Sequence, residues 1–101
     1  MGGEPAGTFD FTAAVWLWSD GSWWFATVPE EVSDEIADAV PRSGPGFGAV
    51  AVTATVGSTT WQTSVFPSRE HAAYLLPVKK SVRRAELLED GRTASFRLTL
   101  R

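Results

Sequence analysis

The stretch FDFTAAVWLWSDGSWWFATV, residues 9–28, reads as a strand, an Asp-Gly turn and a second strand. Asp20-Gly21 is a strong hairpin signal, because a two-residue turn of this kind needs positive φ. With those two residues at the turn, Ser19 faces Ser22, Trp18 faces Trp23, Leu17 faces Trp24 and Trp16 faces Phe25, since opposed residues share a face. One face then carries Phe9, Phe11, Ala13, Val15, Leu17, Trp24, Ala26 and Val28 without a polar interruption, and is the expected core face. The other carries Asp10, Thr12, Ala14, Trp16, Trp18, Trp23, Phe25 and Thr27. A half-buried antiparallel strand should show polar side chains there. Four aromatic residues gathered at the turn end exceed the apolar patch that a soluble monomer usually exposes, so another element of the chain, a partner or a ligand must cover them.

Outward from this hairpin, PEEVSDEIADAV (29–40) repeats Val32, Ile36 and Val40 at helical spacing, with Pro29 and two acids in the first turn and Pro41 as a stop. PRSGPGFG (41–48) reads as a connecting loop. AVAVTATV (49–56), the turn Gly57-Ser58 and TTWQTSVF (59–66) form a second hairpin, whose core face holds Val50, Val52, Ala54, Val56, Trp61 and Val65. After Pro67 an irregular segment containing Arg69, Glu70 and His71 leads to YLLP (74–77). VKKSVRRAELL (78–88) is expected as a helix with Val78, Val82 and Ala85 inward, ended by a left-handed cap at Asp90-Gly91. RTASFRLTLR (92–101) closes the fold as a last strand with Ala94, Phe96, Leu98 and Leu100 inward. The pattern predicts a mostly β fold with two capping helices: a small barrel built from two hairpins and a C-terminal closing strand.

A chain of 101 residues buries one core, so residues 9–101 are expected as a single domain behind a flexible tail, 1–8. There is no cysteine, which removes disulfides and thiolate metal ligation from consideration. MGGEPAGTFDF has neither a basic n-region nor an apolar h-region, and no run approaches membrane-spanning length; the expected location is the cytoplasm. The net charge of −3 conceals an asymmetry. Residues 1–41 carry Glu4, Asp10, Asp20, Glu30, Glu31, Asp34, Glu35 and Asp38 and no Lys or Arg, whereas every basic residue lies between Arg42 and Arg101.

The order WWFATVP (23–29), an acidic helix, GFGAVAVTATV (46–56), TTWQTSVFP (59–67), YLLPVKKSVRRAELLEDG (74–91) and a final strand resembles the bacterial family called domain of unknown function 1905. Trp61 with Phe66-Pro67, and Leu76-Pro77 followed by Lys79 and Arg83, carry the resemblance most specifically. It implies a small double-split β-barrel capped by helices. That architecture is in turn similar to the swapped-hairpin AbrB and MazE type of DNA-binding domain, to which LPVKKSVRRAELLEDG (76–91) bears a loose likeness. A shared fold does not assign a function.

The residues that carry chemistry are few. His71 is the only histidine, in a polar stretch beside Glu70 with no Ser or Cys nucleophile motif, and reads as a surface side chain. No metal-ligand spacing or phosphate loop is present, so no catalytic residue, metal ligand or cofactor is expected. The late helix is more informative. Lys79 with Arg83, and Lys80 with Arg84, are like-charge i,i+4 pairs, each mildly unfavourable. Either Glu31, Asp34, Glu35 and Asp38 neutralise them, or an anion does. The expected function is a binding module that receives a small, partly apolar anion or a protein partner through Trp16, Trp18, Trp23, Phe25, Lys79, Lys80, Arg83 and Arg84, with the protein a monomer or homodimer. The alternatives are a nucleic-acid-binding regulatory domain, which an isoelectric point near 5.0 opposes, and an enzyme whose site is unrecognised.

Overall fold

The computed structural model describes residues 7–19, 21–40 and 48–101; Asp20 of the expected turn, most of the expected loop (41–47) and residues 1–6 of the expected tail lie outside the described residues. The elements follow as β1 (Thr8–Leu17), β2 (Trp24–Thr27), α1 (Glu30–Ala39), β3 (Val50–Val56), β4 (Thr59–Ser68), β5 (Ala73–Pro77), α2 (Lys80–Glu86) and β6 (Thr93–Leu100). The strands close into a six-stranded barrel in the order β1-β2-β5-β4-β3-β6, with the two helices packed on its wall. The barrel and both hairpins therefore agree with the sequence pattern, and Trp16 opposite Phe25 and Leu17 opposite Trp24 reproduce its register; the first reversal, however, begins earlier than the expected Ser19–Ser22 pair, since the Gly21 N–H donates to the Trp18 carbonyl at 2.8 Å.

The strand absent from the sequence reading is β5. Tyr74, Leu75 and Leu76 are buried in succession. A strand covered on both faces shows no alternation, and five residues ending in proline give no periodic signal. Leu76 faces the interior with its partner Ala26, whereas Leu75, opposite Thr27 and Phe66, is buried outside the main core.

Strand lengths make the wall uneven. The two ten-residue strands are each shared between two shorter neighbours. β1 pairs with β6 over residues 8–14 and with β2 over 15–17, while β4 pairs with β3 over 59–65 and with β5 over 66–68. Each long strand thus keeps one edge that no described strand covers, at 8–14 of β1 and at 59–65 of β4. α1 packs on β1 and β5, and α2 packs on β4. The interior is filled by Val15, Ala26, Val52, Ala54, Val65, Leu76 and Leu98, all fully buried, and by Phe11 stacked on Phe96 at 5.5 Å. Leu17, placed on the core face by parity, is the exception and is exposed at the end of β1.

α1 docks through Ile36, fully buried, with Val32 and Val40 at the margin, as the helical spacing predicts. Its second anchor is Ser33, whose hydroxyl donates to the Val28 carbonyl at 3.1 Å and accepts from the Tyr74 amide at 3.0 Å. Val28 N–H donates directly to the Tyr74 carbonyl at 2.9 Å. The serine oxygen therefore supplies the second rung of the last β2–β5 pair, where the strands have begun to part. No buried side-chain polar atom is left without a partner among the described residues.

The late helix differs from expectation. α2 has seven residues rather than the expected eleven, Lys79 precedes it in extended conformation, and Arg83 and Arg84 fall in its last turn. It stops at Leu87, left-handed at φ 55°, not at Asp90-Gly91. That reversal turns Leu88 into the core and leaves Ala85 exposed, because the chain must return toward β6 sooner than helical spacing alone requires. The expected neutralisation also fails. Among the described residues no ion pair joins α1 to α2; the exposed pair on the wall is Asp10 with Arg97, at 2.7 Å.

Candidate functional site

β1 and β2 hold the aromatic cluster on the outside of the barrel, as the hairpin parity requires. Trp16 lies 5.4 Å from Phe25 and 5.7 Å from Trp18, and Trp23 stacks on Phe25 at 6.1 Å. The turn between β4 and β5 covers one side. His71, read from the sequence as a surface side chain, is half-buried with its ring 5.0 Å from Trp16 and 6.3 Å from Trp18. Ser68 fixes it through a 2.9 Å hydrogen bond between Oγ and Nδ1, and Trp16 Nε1 donates to Thr27 Oγ1 at 2.9 Å. Trp16 is consequently a packed side chain with its polar atom satisfied. Beyond it, Trp18, Trp23, Phe25, Phe66, Pro67, Ser68 and Leu75 line a shallow apolar groove of about 370 Å³.

A larger groove, of about 600 Å³, opens where β4 departs from β5. Trp24 and Trp61, the more buried aromatic residues, form its floor, and Trp23, Phe66, Lys79, Lys80 and Arg83 its rim. Trp23 and Phe66 also border the smaller groove, so they form the ridge between the two. Among the described residues no carboxylate lines it.

Arg83 is the most constrained group at this site. Its guanidinium carbon sits 4.4 Å from the centre of the Trp24 ring, and its Nε donates to the Val78 carbonyl at 3.1 Å. Contact with the indole face and one backbone hydrogen bond hold the guanidinium in place, and its two terminal nitrogens have no protein acceptor among the described residues. Burial, and then the neighbouring charge of Arg84, hold the Arg83 pKa below its usual value. Both effects disfavour an unaccompanied cation, and a bound anion would oppose both.

The structure thus brings Trp23, Lys79, Lys80 and Arg83 of the expected set to one groove and Trp18, Trp23 and Phe25 to the other, with Trp23 common to both. Trp16 lies beneath the smaller groove, and Arg84 is exposed and lines neither. Trp24, Trp61 and Phe66 were absent from that set. Strand parity assigns Trp24 and Trp61 to the core, which is correct, but it is silent about a gap in the wall through which core residues become a floor. Phe66 had a usable signal, since it follows inward Val65 and so must face outward.

Among the described residues no group of three or more His, Cys, Asp or Glu side chains is placed to hold a metal ion, and no helix is long and apolar enough to cross a membrane. The family model for Domain of unknown function (DUF1905) matches residues 11–98. The chain belongs to the DUF1905 family. No curated protein matches it. The match takes in β2 to β5, both helices and most of β1 and β6 of the DUF1905 barrel, and with them every lining residue of the larger groove.

Proposed function

We propose that this DUF1905 domain is a non-catalytic binding module whose larger groove takes a partly apolar anion. The observation that carries the reading is Arg83, held over Trp24 with no acceptor for its terminal nitrogens among the described residues, at the rim of an aromatic groove with no carboxylate among its described lining residues. A planar carboxylate satisfies that fork bidentately, and its apolar body rests on Trp61 and against Trp23. The groove's volume falls within the range of roughly 300–1,000 Å³ common to small-ligand sites. Lys79 and Lys80 add positive potential at the mouth without fixing geometry, because both are exposed and a lysine ammonium is a point charge on a flexible stem.

The test uses tryptophan fluorescence and calorimetry with indole-3-acetate against its neutral alcohol, on wild type and on Arg83→Lys. The acid is expected to bind about tenfold or more tightly than the alcohol, and Arg83→Lys to erase most of that preference, since lysine keeps the charge but loses the planar fork. Equal binding of acid and alcohol, or no binding of either, would remove the proposal. Raising salt separates it from the nucleic-acid reading, because contacts to several phosphates weaken steeply with salt while one carboxylate on an apolar floor does not.

A further inference from the structure

The groove has a polar wall that a small acid leaves unused. Arg101 N–H donates to the Ala51 carbonyl at 3.1 Å, which sets the phase of β3: Ala51 bonds toward β6, and Val52 and Ala54 therefore bond toward β4. Their partners on β4 are Thr63 and Trp61, whose backbone groups face β3. Thr60, Gln62 and Ser64 must then turn their N–H and C=O groups to the opposite edge, which no described strand covers. The groove meets the strand on this edge, for consecutive residues Trp61, Gln62 and Thr63 all line it, and side chains from both faces of a strand share a groove only when the strand is met edge-on. Across the gap, β5 ends at Pro77, and the chain then runs as Val78-Lys79-Lys80 along the far wall.

From this geometry, and resting on the groove reading above, we propose that the occupant is the carboxyl terminus of a polypeptide, added as a short strand at Gln62, on the edge of β4 that no described strand covers. Main-chain hydrogen bonds to Gln62 supply the pairing, as in other cases of strand addition to a sheet edge. The terminal carboxylate meets the fork of Arg83 within the positive rim of Lys79 and Lys80, a charge complementarity that an internal segment without an acidic side chain would not satisfy. Alternate side chains of the added strand point one way onto the floor of Trp24 and Trp61 and the other toward Trp23 and Phe66, so the last residue should be bulky and apolar.

Calorimetry with four probes tests this: the peptide acetyl-Gly-Val-Ile-Phe as free acid, its C-terminal amide, the free acid with its backbone N-methylated at Ile, and indole-3-acetate. The free acid is expected to bind at least tenfold more tightly than the amide and than the N-methylated peptide, each about 1.4 kcal/mol. Gln62→Pro, which removes an edge N–H and leaves the β3 ladder its donors, should weaken the free acid about tenfold and leave indole-3-acetate unchanged. If the N-methylated peptide binds as well as the free acid, strand addition is overturned from the ligand side, whatever the folding of the variant. If indole-3-acetate binds and the peptide acid binds no more tightly, strand addition falls while the groove reading stands. Failure of both acids to bind overturns both.

Discussion

Replacing Ser33 by alanine removes one oxygen that serves two partners inside the protein. The Val28 carbonyl loses its donor and the Tyr74 amide loses its acceptor, in a residue only 9% exposed. A buried N–H left unpaired costs about 1–3 kcal/mol, and the other lost hydrogen bond about 1 kcal/mol. Alanine returns roughly 0.5 kcal/mol through its better helix propensity, so the losses win. The expected net destabilisation is about 1.5–3.5 kcal/mol, a large part of the roughly 5–15 kcal/mol that holds a typical domain. Urea denaturation followed by far-ultraviolet circular dichroism measures it, with an unchanged slope showing that the variant still unfolds from the same native state. Asp34→Ala, exposed on the same helix, is the control and should shift stability by less than about 0.5 kcal/mol. A Ser33→Ala loss no larger than the control's would refute the account of Ser33 as the bridge between β2 and β5.

Two further substitutions probe the parts of the fold around the groove. Leu87 is 71% exposed and left-handed, a conformation that costs a side chain about 1–2 kcal/mol and glycine little; Leu87→Gly should therefore stabilise the domain by about 0.5–1 kcal/mol in thermal or urea unfolding, and a loss of stability would contradict the cap assigned here. Trp61 is 7% exposed and faces Ala54 in the interior; Trp61→Ala should cost roughly 3–5 kcal/mol, whereas a loss below about 1 kcal/mol would mean that the ring only borders the groove and does not fill the core.

The first hairpin shows how far alternation reaches. An Asp-Gly signal and a period of two were sufficient to assign Trp16 opposite Phe25, to place Val15 and Ala26 inside, and to put four aromatic side chains together on the outer face, because each of these follows from local chain geometry. The second hairpin and β6 were legible for the same reason, and the spacing of Val32 and Ile36 sufficed for α1. Alternation assigns faces, however, and has nothing to say about edges. Where β4 parts from β5, and therefore where Trp24 and Trp61 meet the groove that Arg83 borders, depends on how far short strands overlap long ones, which pairings between residues far apart in sequence decide. The same dependence hid β5, whose burial on both sides erases its period, and Ser33, a polar residue on an acidic helix whose partners Val28 and Tyr74 come together only when α1 docks on the barrel. It also fixed the end of α2, since Leu88 enters the core only through a left-handed residue that helix propensity alone would have rejected.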